Sequence, residues 1–213
     1  MSIYEERPAR PEPEEKRNHD DDFEINPYID LTDVLNSNVD FDDSIIYFNE
    51  DIGEQSLVDI MIKFRSLLKH RDSEDYIGDK NKPINLVLNS PGGDIHEMMG
   101  MVDYLNSLKQ KVNIIIRGKA FSAAAVVLTC TSGQRMASQN STIMFHQPRS
   151  MMEGKLTDVT ATVDFVKRIE QRVYDLLASK TKKDVEWWKD NMRSDLYLTA
   201  QEAKDLGVID III

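Results

Sequence analysis

The chain has 213 residues, 41% hydrophobic and 30% charged, which is enough to bury a core of its own. Its net charge of -11 disfavours binding to nucleic-acid phosphates, and its single cysteine, Cys130, excludes a disulfide framework or a cysteine-based zinc site. No run approaches the roughly 18 apolar residues of a membrane span, and the first residues do not form a secretory signal. We therefore expect a cytoplasmic protein with no metal, cofactor, nucleic-acid partner or membrane partner.

All of the excess charge lies near the N-terminus. Residues 1–50 carry 15 Asp and Glu against 4 Lys and Arg, whereas residues 51–213 carry 22 of each sign. Because the first residues are highly charged and contain few apolar side chains, they cannot offset the entropy lost on ordering. The sequence predicts a disordered acidic tail over residues 1–27 and one domain over residues 28–213. The tail could be a solvated arm or could order on a partner, and residues 28–37 could form a short docking helix.

Strands and helices alternate from residue 44 onward. Apolar runs bounded by turn residues predict strands over residues 44–48, 84–88, 112–116, 136–138 and 142–145. Apolar residues at helical spacing, or a run of small residues, predict helices over residues 54–70, 95–110, 122–131 and 156–179. This alternation is typical of an α/β fold with a mainly parallel sheet covered by helices.

The loop of residues 89–94, with the sequence NSPGGD, is the first unusual feature, and it follows the strand predicted over residues 84–88. Its paired glycines allow backbone N–H groups to turn outward at the positive end of a helix dipole, where they could bind a developing oxyanion. An ordinary strand-to-helix turn would use the same residues. The GxxxxGK[ST] pattern of a nucleotide-binding loop is absent, so this chain does not carry that ATP site.

A second strand end leads into Gly118 and then Ser122, which opens a helix rich in alanine. Small residues after a nucleophilic serine would leave its hydroxyl exposed. The competing interpretation is that Ser122 only caps the helix, because serine is a favoured N-cap residue. The G-x-S-x-G motif of many hydrolases is not matched.

A serine nucleophile needs a base, and His146 is the best placed of the four histidines. It directly follows the strand predicted over residues 142–145, so a rigid element would hold it. A core or turn histidine is the alternative interpretation. Several aspartates could orient the base, and Asp195 is attractive because it precedes the apolar residues Leu196, Tyr197 and Leu198. Asp195 could equally lie in a surface turn.

Three segments together carry a resemblance to a known family: NSPGGDI, GKAFSAAAVVLTCTSGQRMASQNSTIMFHQP and SDLYLTAQEAKDLGVID. They resemble the proteolytic subunit of the ATP-dependent Clp protease, over about residues 40–211. The resemblance implies a crotonase-like α/β fold of ββα repeats, with a handle segment that begins near residue 147 and with C-terminal helices.

The resemblance also implies catalytic roles. Ser122 would be the nucleophile, His146 the general base, and Asp195 the carboxylate that orients the imidazole. The backbone N–H groups of Gly92 and Ala123 would form the oxyanion hole. The chain would then be a serine endopeptidase that cleaves peptides and unfolded proteins.

The implied assembly is a homo-oligomer of two stacked heptameric rings enclosing the active sites, fed by a separate AAA+ ATPase unfoldase. Two departures from the family pattern bear on this. The residues after His146-Gln147-Pro148 lack the family's glycines, and Ser194 stands where the family has an arginine that pairs across rings. Three alternatives are a specialised phage-type maturation protease of the same family, a crotonase-fold acyl-CoA enzyme and an inactive ring subunit.

Overall fold

The computed structural model describes residues 37–149 and 153–213. The predicted tail over residues 1–27 lies outside the described residues, as does the predicted docking helix over residues 28–37 apart from its last residue. Residues 150–152 of the predicted handle also lie outside them.

The strands of the described residues form one sheet. They are β1 Val39–Asp40, β2 Ile45–Phe48, β3 Ile84–Ser90, β4 Val112–Phe121, β5 Arg135–Ala137, β6 Thr142–Phe145, β7 Leu196–Thr199 and β8 Ile211–Ile212. The order is β1-β2-β3-β4-β5-β8, with β6 also pairing β4 and β7 pairing β6. Five pairs are parallel: β2 with β3, β3 with β4, β4 with β5, β5 with β8, and β4 with β6. Only the β1–β2 and β6–β7 pairs of the described strands are antiparallel, which confirms the predicted mainly parallel sheet.

The helices of the described residues pack on this sheet or on one another. They are α1 Glu54–Asp72, α2 Ile95–Ser107, α3 Ala123–Cys130, α4 Leu156–Lys180, α5 Val185–Asn191 and α6 Ala200–Leu206. The first four confirm predicted helices within a few residues. Helical spacing did not predict helices α5 and α6, because seven residues are too few to establish a helical period, but they agree with the C-terminal helices that the resemblance implies. In the part of the chain that the structure describes, no helix is long and apolar enough to span a bilayer.

Helix α3 is the most deeply buried of the described helices. All eight of its residues are buried, and it packs between α2 and α4. Its small residues Ala123, Ala124 and Ala125 permit this close packing. The N-terminus of α3 is therefore held rigidly at the end of β4, which is the position that matters for the site.

The prediction that the third strand ends at residue 116, before Gly118, is wrong, because β4 continues to Phe121. Gly118 adopts a φ of 109°, which glycine tolerates readily, and the β3–β4 register shifts at this level. The side-chain oxygen of Asn89 accepts the N–H of Lys119 at 3.0 Å and so bridges the irregularity. As a result, β4 delivers Ser122 directly from a strand end.

Candidate active site

The three predicted catalytic residues lie at one edge of the sheet. Ser122 follows β4, and His146 follows β6, which runs parallel to β4. Asp195 precedes β7, which pairs antiparallel with β6 so that Phe145 lies opposite Leu196. These pairings bring together residues that are far apart in the sequence.

The backbone of Ser122 is strained. Its φ of 55° and ψ of -122° fall in a region that non-glycine residues rarely adopt, at a cost on the order of 1–3 kcal/mol. Its N–H donates to the carbonyl of Met144 at 2.7 Å, and its carbonyl accepts the N–H groups of Ala125 and Val126. Its side chain makes no capping hydrogen bond to α3. The geometry therefore disfavours the interpretation of Ser122 as a side-chain cap.

The glycine loop packs directly against Ser122. Gly92 has a φ of 98°, and a Cβ at this position would lie 2.5 Å from the carbonyl oxygen of Phe121 and 2.7 Å from Cβ of Ser122. Only glycine fits this space. The N–H of Gly92, which the resemblance assigns to the oxyanion hole, donates to the buried hydroxyl of Ser90 at 3.1 Å.

Gly93 is the next residue of the loop and also has a positive φ, of 157°. Ile52 fixes the loop from the other side, because its N–H donates to the carbonyl of Gly92 and its carbonyl accepts the N–H of Asp94, both at 2.8 Å. The loop is thus held on both sides of Gly93.

A cavity of about 600 Å³, here called the edge cavity, opens beside these residues. Gly93, Ser122, Ala123 and His146 line it, whereas Gly92 does not. Its apolar walls come from α2, α3, α4 and the end of β6: Ile95, Met98, Val126, Phe145, Phe165, Val166, Ile169 and Val173. Such a cavity can hold a side chain of a substrate next to the hydroxyl of Ser122.

The predicted triad shares an edge of the sheet but is not hydrogen-bonded as a triad in this single chain. His146 Nδ1 lies 2.6 Å from the carbonyl oxygen of Gln147. Asp195 accepts from Nη2 of Arg149 at 3.0 and 3.2 Å, one bond to each carboxylate oxygen. Within residues 37–149 and 153–213, no hydrogen bond joins His146 to Ser122 or to Asp195. The sequence shows that the family's glycines are lost here, but no pattern in it predicts that Arg149 binds the aspartate.

Two polar side chains that the sequence pattern did not reveal, Glu170 and Tyr174, also line the edge cavity. Gln147 Nε2 donates to the hydroxyl of Tyr174 at 3.3 Å, and that hydroxyl donates to Oε1 of Glu170 at 2.6 Å. Burial, and secondarily the bond to Glu170, raises the pKa of Tyr174 to about 12, so the phenol stays a hydrogen-bond donor at neutral pH. The helical pattern of α4 could not reveal these contacts, because it marks only apolar positions.

Two other nucleophile candidates are inaccessible. Cys130 is 1% exposed, and burial raises the pKa of its thiol to about 11, so it remains an unreactive thiol at neutral pH. Ser90 is fully buried, and its hydroxyl accepts the N–H of Gly92. Ser122, unlike Ser90, lines the edge cavity.

Comparison with known proteins decides the family. The Clp protease family profile matches residues 39–213. The chain belongs to the Clp protease family. The ATP-dependent Clp protease proteolytic subunit 1 of Thermobifida fusca (strain YX) is 33% identical over 189 residues, covering 88% of this chain and 78% of the relative. The subunit of the same name from Cutibacterium acnes (strain DSM 16379 / KPA171202) is 37% identical over 138 residues, covering 63% and 64%.

These matches confirm the predicted Clp resemblance and, with the eight-stranded sheet of the described residues, the crotonase-like α/β fold. They also confirm the predicted function class, a Clp-type serine endopeptidase. The acyl-CoA enzyme, the phage-type protease and the inactive ring subunit are not favoured. The individual catalytic roles of Ser122, His146 and Asp195 stay predictions.

Proposed function

We propose that this Clp protease chain hydrolyses peptide bonds in unfolded polypeptides with Ser122 as its nucleophile. The observation that carries the assignment is the placement of Ser122. It lies at the end of β4 in a strained conformation, makes no side-chain cap, and lines a cavity beside the glycine loop. Strained residues of this kind cluster at active sites, where the surrounding structure holds them in place.

In the proposed reaction, the hydroxyl oxygen of Ser122 attacks the scissile carbonyl while its proton passes to the imidazole of His146. The protonated imidazole then gives that proton to the leaving amine, and water hydrolyses the acyl-enzyme by the same route in reverse. Asp195 orients the imidazole and stabilises its cation. To do so, its carboxylate must release the guanidinium of Arg149 and accept a hydrogen bond from the imidazole of His146.

The oxyanion would be bound by backbone N–H groups at the start of α3 and in the glycine loop. Ala123 keeps its predicted role, since it lines the edge cavity directly after the nucleophile. Within the loop, Gly93 is better placed than the predicted Gly92, because the N–H of Gly92 is bound to Ser90 and only Gly93 lines the cavity. One such donor typically contributes about 10²–10³ in rate.

Labelling with a serine-directed peptidyl phosphonate tests the nucleophile. We expect one phosphonate per chain, which tryptic mapping should locate at Ser122, because an attacking serine bonds covalently to phosphorus. The Ser122→Ala protein is the matched control and should remain unlabelled. Modification at Ser90, or equal labelling of the two proteins, would remove the assignment.

Arg149 should restrain activity by competing with His146 for Asp195. The ion pair is partly exposed, with Arg149 76% and Asp195 34% accessible, and such pairs contribute only about 0–1 kcal/mol. We expect Arg149→Ala to raise kcat for a short peptide by about two- to five-fold, measured by a fluorogenic assay. Arg193→Ala, which breaks the exposed pair with Asp190, is the matched control and should change kcat little. A fall in kcat on removing Arg149 would show instead that Arg149 supports the site.

We further propose assembly into rings that work with an ATP-driven unfoldase in the cytoplasm. The two relatives are named as subunits of an ATP-dependent protease. Exposed apolar side chains on α1 (Val58, Met61 and Ile62) and Phe165 on α4 give this chain apolar surface for subunit contacts. Two stacked heptameric rings remain the specific expectation, with residues 1–27 as a tail outside the domain of residues 28–213.

Light scattering tests the assembly and should report a multimer. A monomer at micromolar concentration would contradict the ring.

A further inference from the structure

Two carboxylates line the edge cavity, Asp94 at the start of α2 and Glu170 on α4, and most of the side chains around Glu170 are apolar. Glu170, on α4, lines the cavity together with Ile169, Val166 and Val173. The hydroxyl of Tyr174, a residue that is only 3% exposed, donates to Oε1 of Glu170 at 2.6 Å and so fixes that oxygen. A carboxylate beside apolar walls needs a donor or a cation, because it loses hydration there.

The other charged groups at the edge cavity already have partners. Arg149 is bound to Asp195, and Asp94 caps α2 by accepting the N–H of His96 at 2.6 Å. Across the two described stretches, no Lys, Arg or His side chain lies within ion-pair distance of Glu170. Asp94 is thus already engaged as the N-cap of α2, whereas the carboxylate of Glu170, held by Tyr174 alone among the described residues, can pair with a substrate cation.

We propose that Glu170 makes this protease prefer substrates with lysine or arginine immediately before the scissile bond. The inference rests on the proposed function, since it places the substrate side chain in the cavity next to Ser122. Lysine and arginine carry an apolar stem that can pack along the walls formed by Val126, Phe145 and Val166, and a cationic head that can reach a carboxylate. The cavity volume of about 600 Å³ leaves room for either side chain. Ionised donors to a carboxylate form the stronger class of hydrogen bonds, so the head group would discriminate between substrates.

The test compares three fluorogenic peptides that differ only in that residue: lysine, norleucine or glutamate. We expect the full-length protein to have its highest kcat/KM with lysine and its lowest with glutamate. Glu170→Gln should lower the lysine-to-norleucine ratio by about ten-fold, because the amide keeps the shape of the carboxylate and removes its charge. Tyr174→Phe should lower the same ratio less, since it removes only the hydroxyl that holds Glu170.

Asp164→Asn is the matched control, because it removes one carboxylate from an exposed position of the same helix and should leave the ratio unchanged. Thermal unfolding of each variant shows whether it is folded. If Glu170→Gln does not fold, the lysine-to-norleucine ratios of Tyr174→Phe and of the unmodified protein still test the role of Glu170. Equal rates with the lysine and norleucine peptides in the unmodified protein would overturn the role proposed for Glu170 but leave the proposed function standing. Failure to cleave any of the three peptides would overturn the proposed function, and this inference with it.

Discussion

Replacing Ser122 by alanine should lower peptide cleavage by about 10⁴–10⁶-fold while the protein stays folded and assembled. The change removes the only atom that forms the acyl-enzyme, and what remains is the contribution of the oxyanion hole and of substrate binding. Alanine fits the same backbone, since the side chain of Ser122 makes no capping bond that would be lost. The measurement is kcat/KM on a fluorogenic peptide, together with light scattering and thermal unfolding.

A serine outside the site provides the control for this comparison. Ser107 is exposed at the end of α2, and its hydroxyl donates only to the carbonyl of Tyr104. We expect Ser107→Ala to keep full activity. If Ser122→Ala retained even a tenth of the original kcat/KM, another residue would have to be the nucleophile.

Replacing Gly92 by alanine should lower kcat/KM for peptide cleavage by about 100-fold or more, although the change adds a single methyl group. The added Cβ would overlap the carbonyl of Phe121 and Cβ of Ser122, and the backbone φ of 98° disfavours any L-residue. Neither obstacle is a flexible side chain, so the loop or the nucleophile must move. A displacement of about 1 Å at the reacting atoms is enough to cost about 10²-fold in rate.

The same substitution at Gly53 is the control. Gly53 has a φ of -149°, which any residue adopts, and a Cβ there would meet no atom within 4 Å. We expect Gly53→Ala to keep activity close to the unmodified level, measured by the same peptide assay and by the rate of phosphonate labelling. Comparable activities for the two glycine variants would show that the contact of Gly92 with Ser122 does not matter for catalysis.

Much of the framework could be predicted from local patterns. Apolar runs located strands β2, β3 and β6, and helical spacing located α1 and α4, because burial of one face leaves a period in the sequence. The same patterns placed Ser122, His146 and Asp195 beside strand ends. The course of β4 through Gly118 could not be predicted locally, since it depends on the contact between Asn89 and Lys119.

By itself, the sequence determined the α/β class, the mainly parallel sheet, the resemblance to Clp proteases and the candidate triad. The tertiary structure alone decided which groups touch: that Arg149 holds Asp195, that Ser90 accepts the N–H of Gly92, and that Glu170 lines the cavity beside Ser122. The physical reason is that strand identity follows from residues close in sequence, whereas the site depends on sheet register and helix packing. The bond between Arg149 and Asp195 joins residues 46 positions apart, and only the pairing of β6 with β7 brings them together.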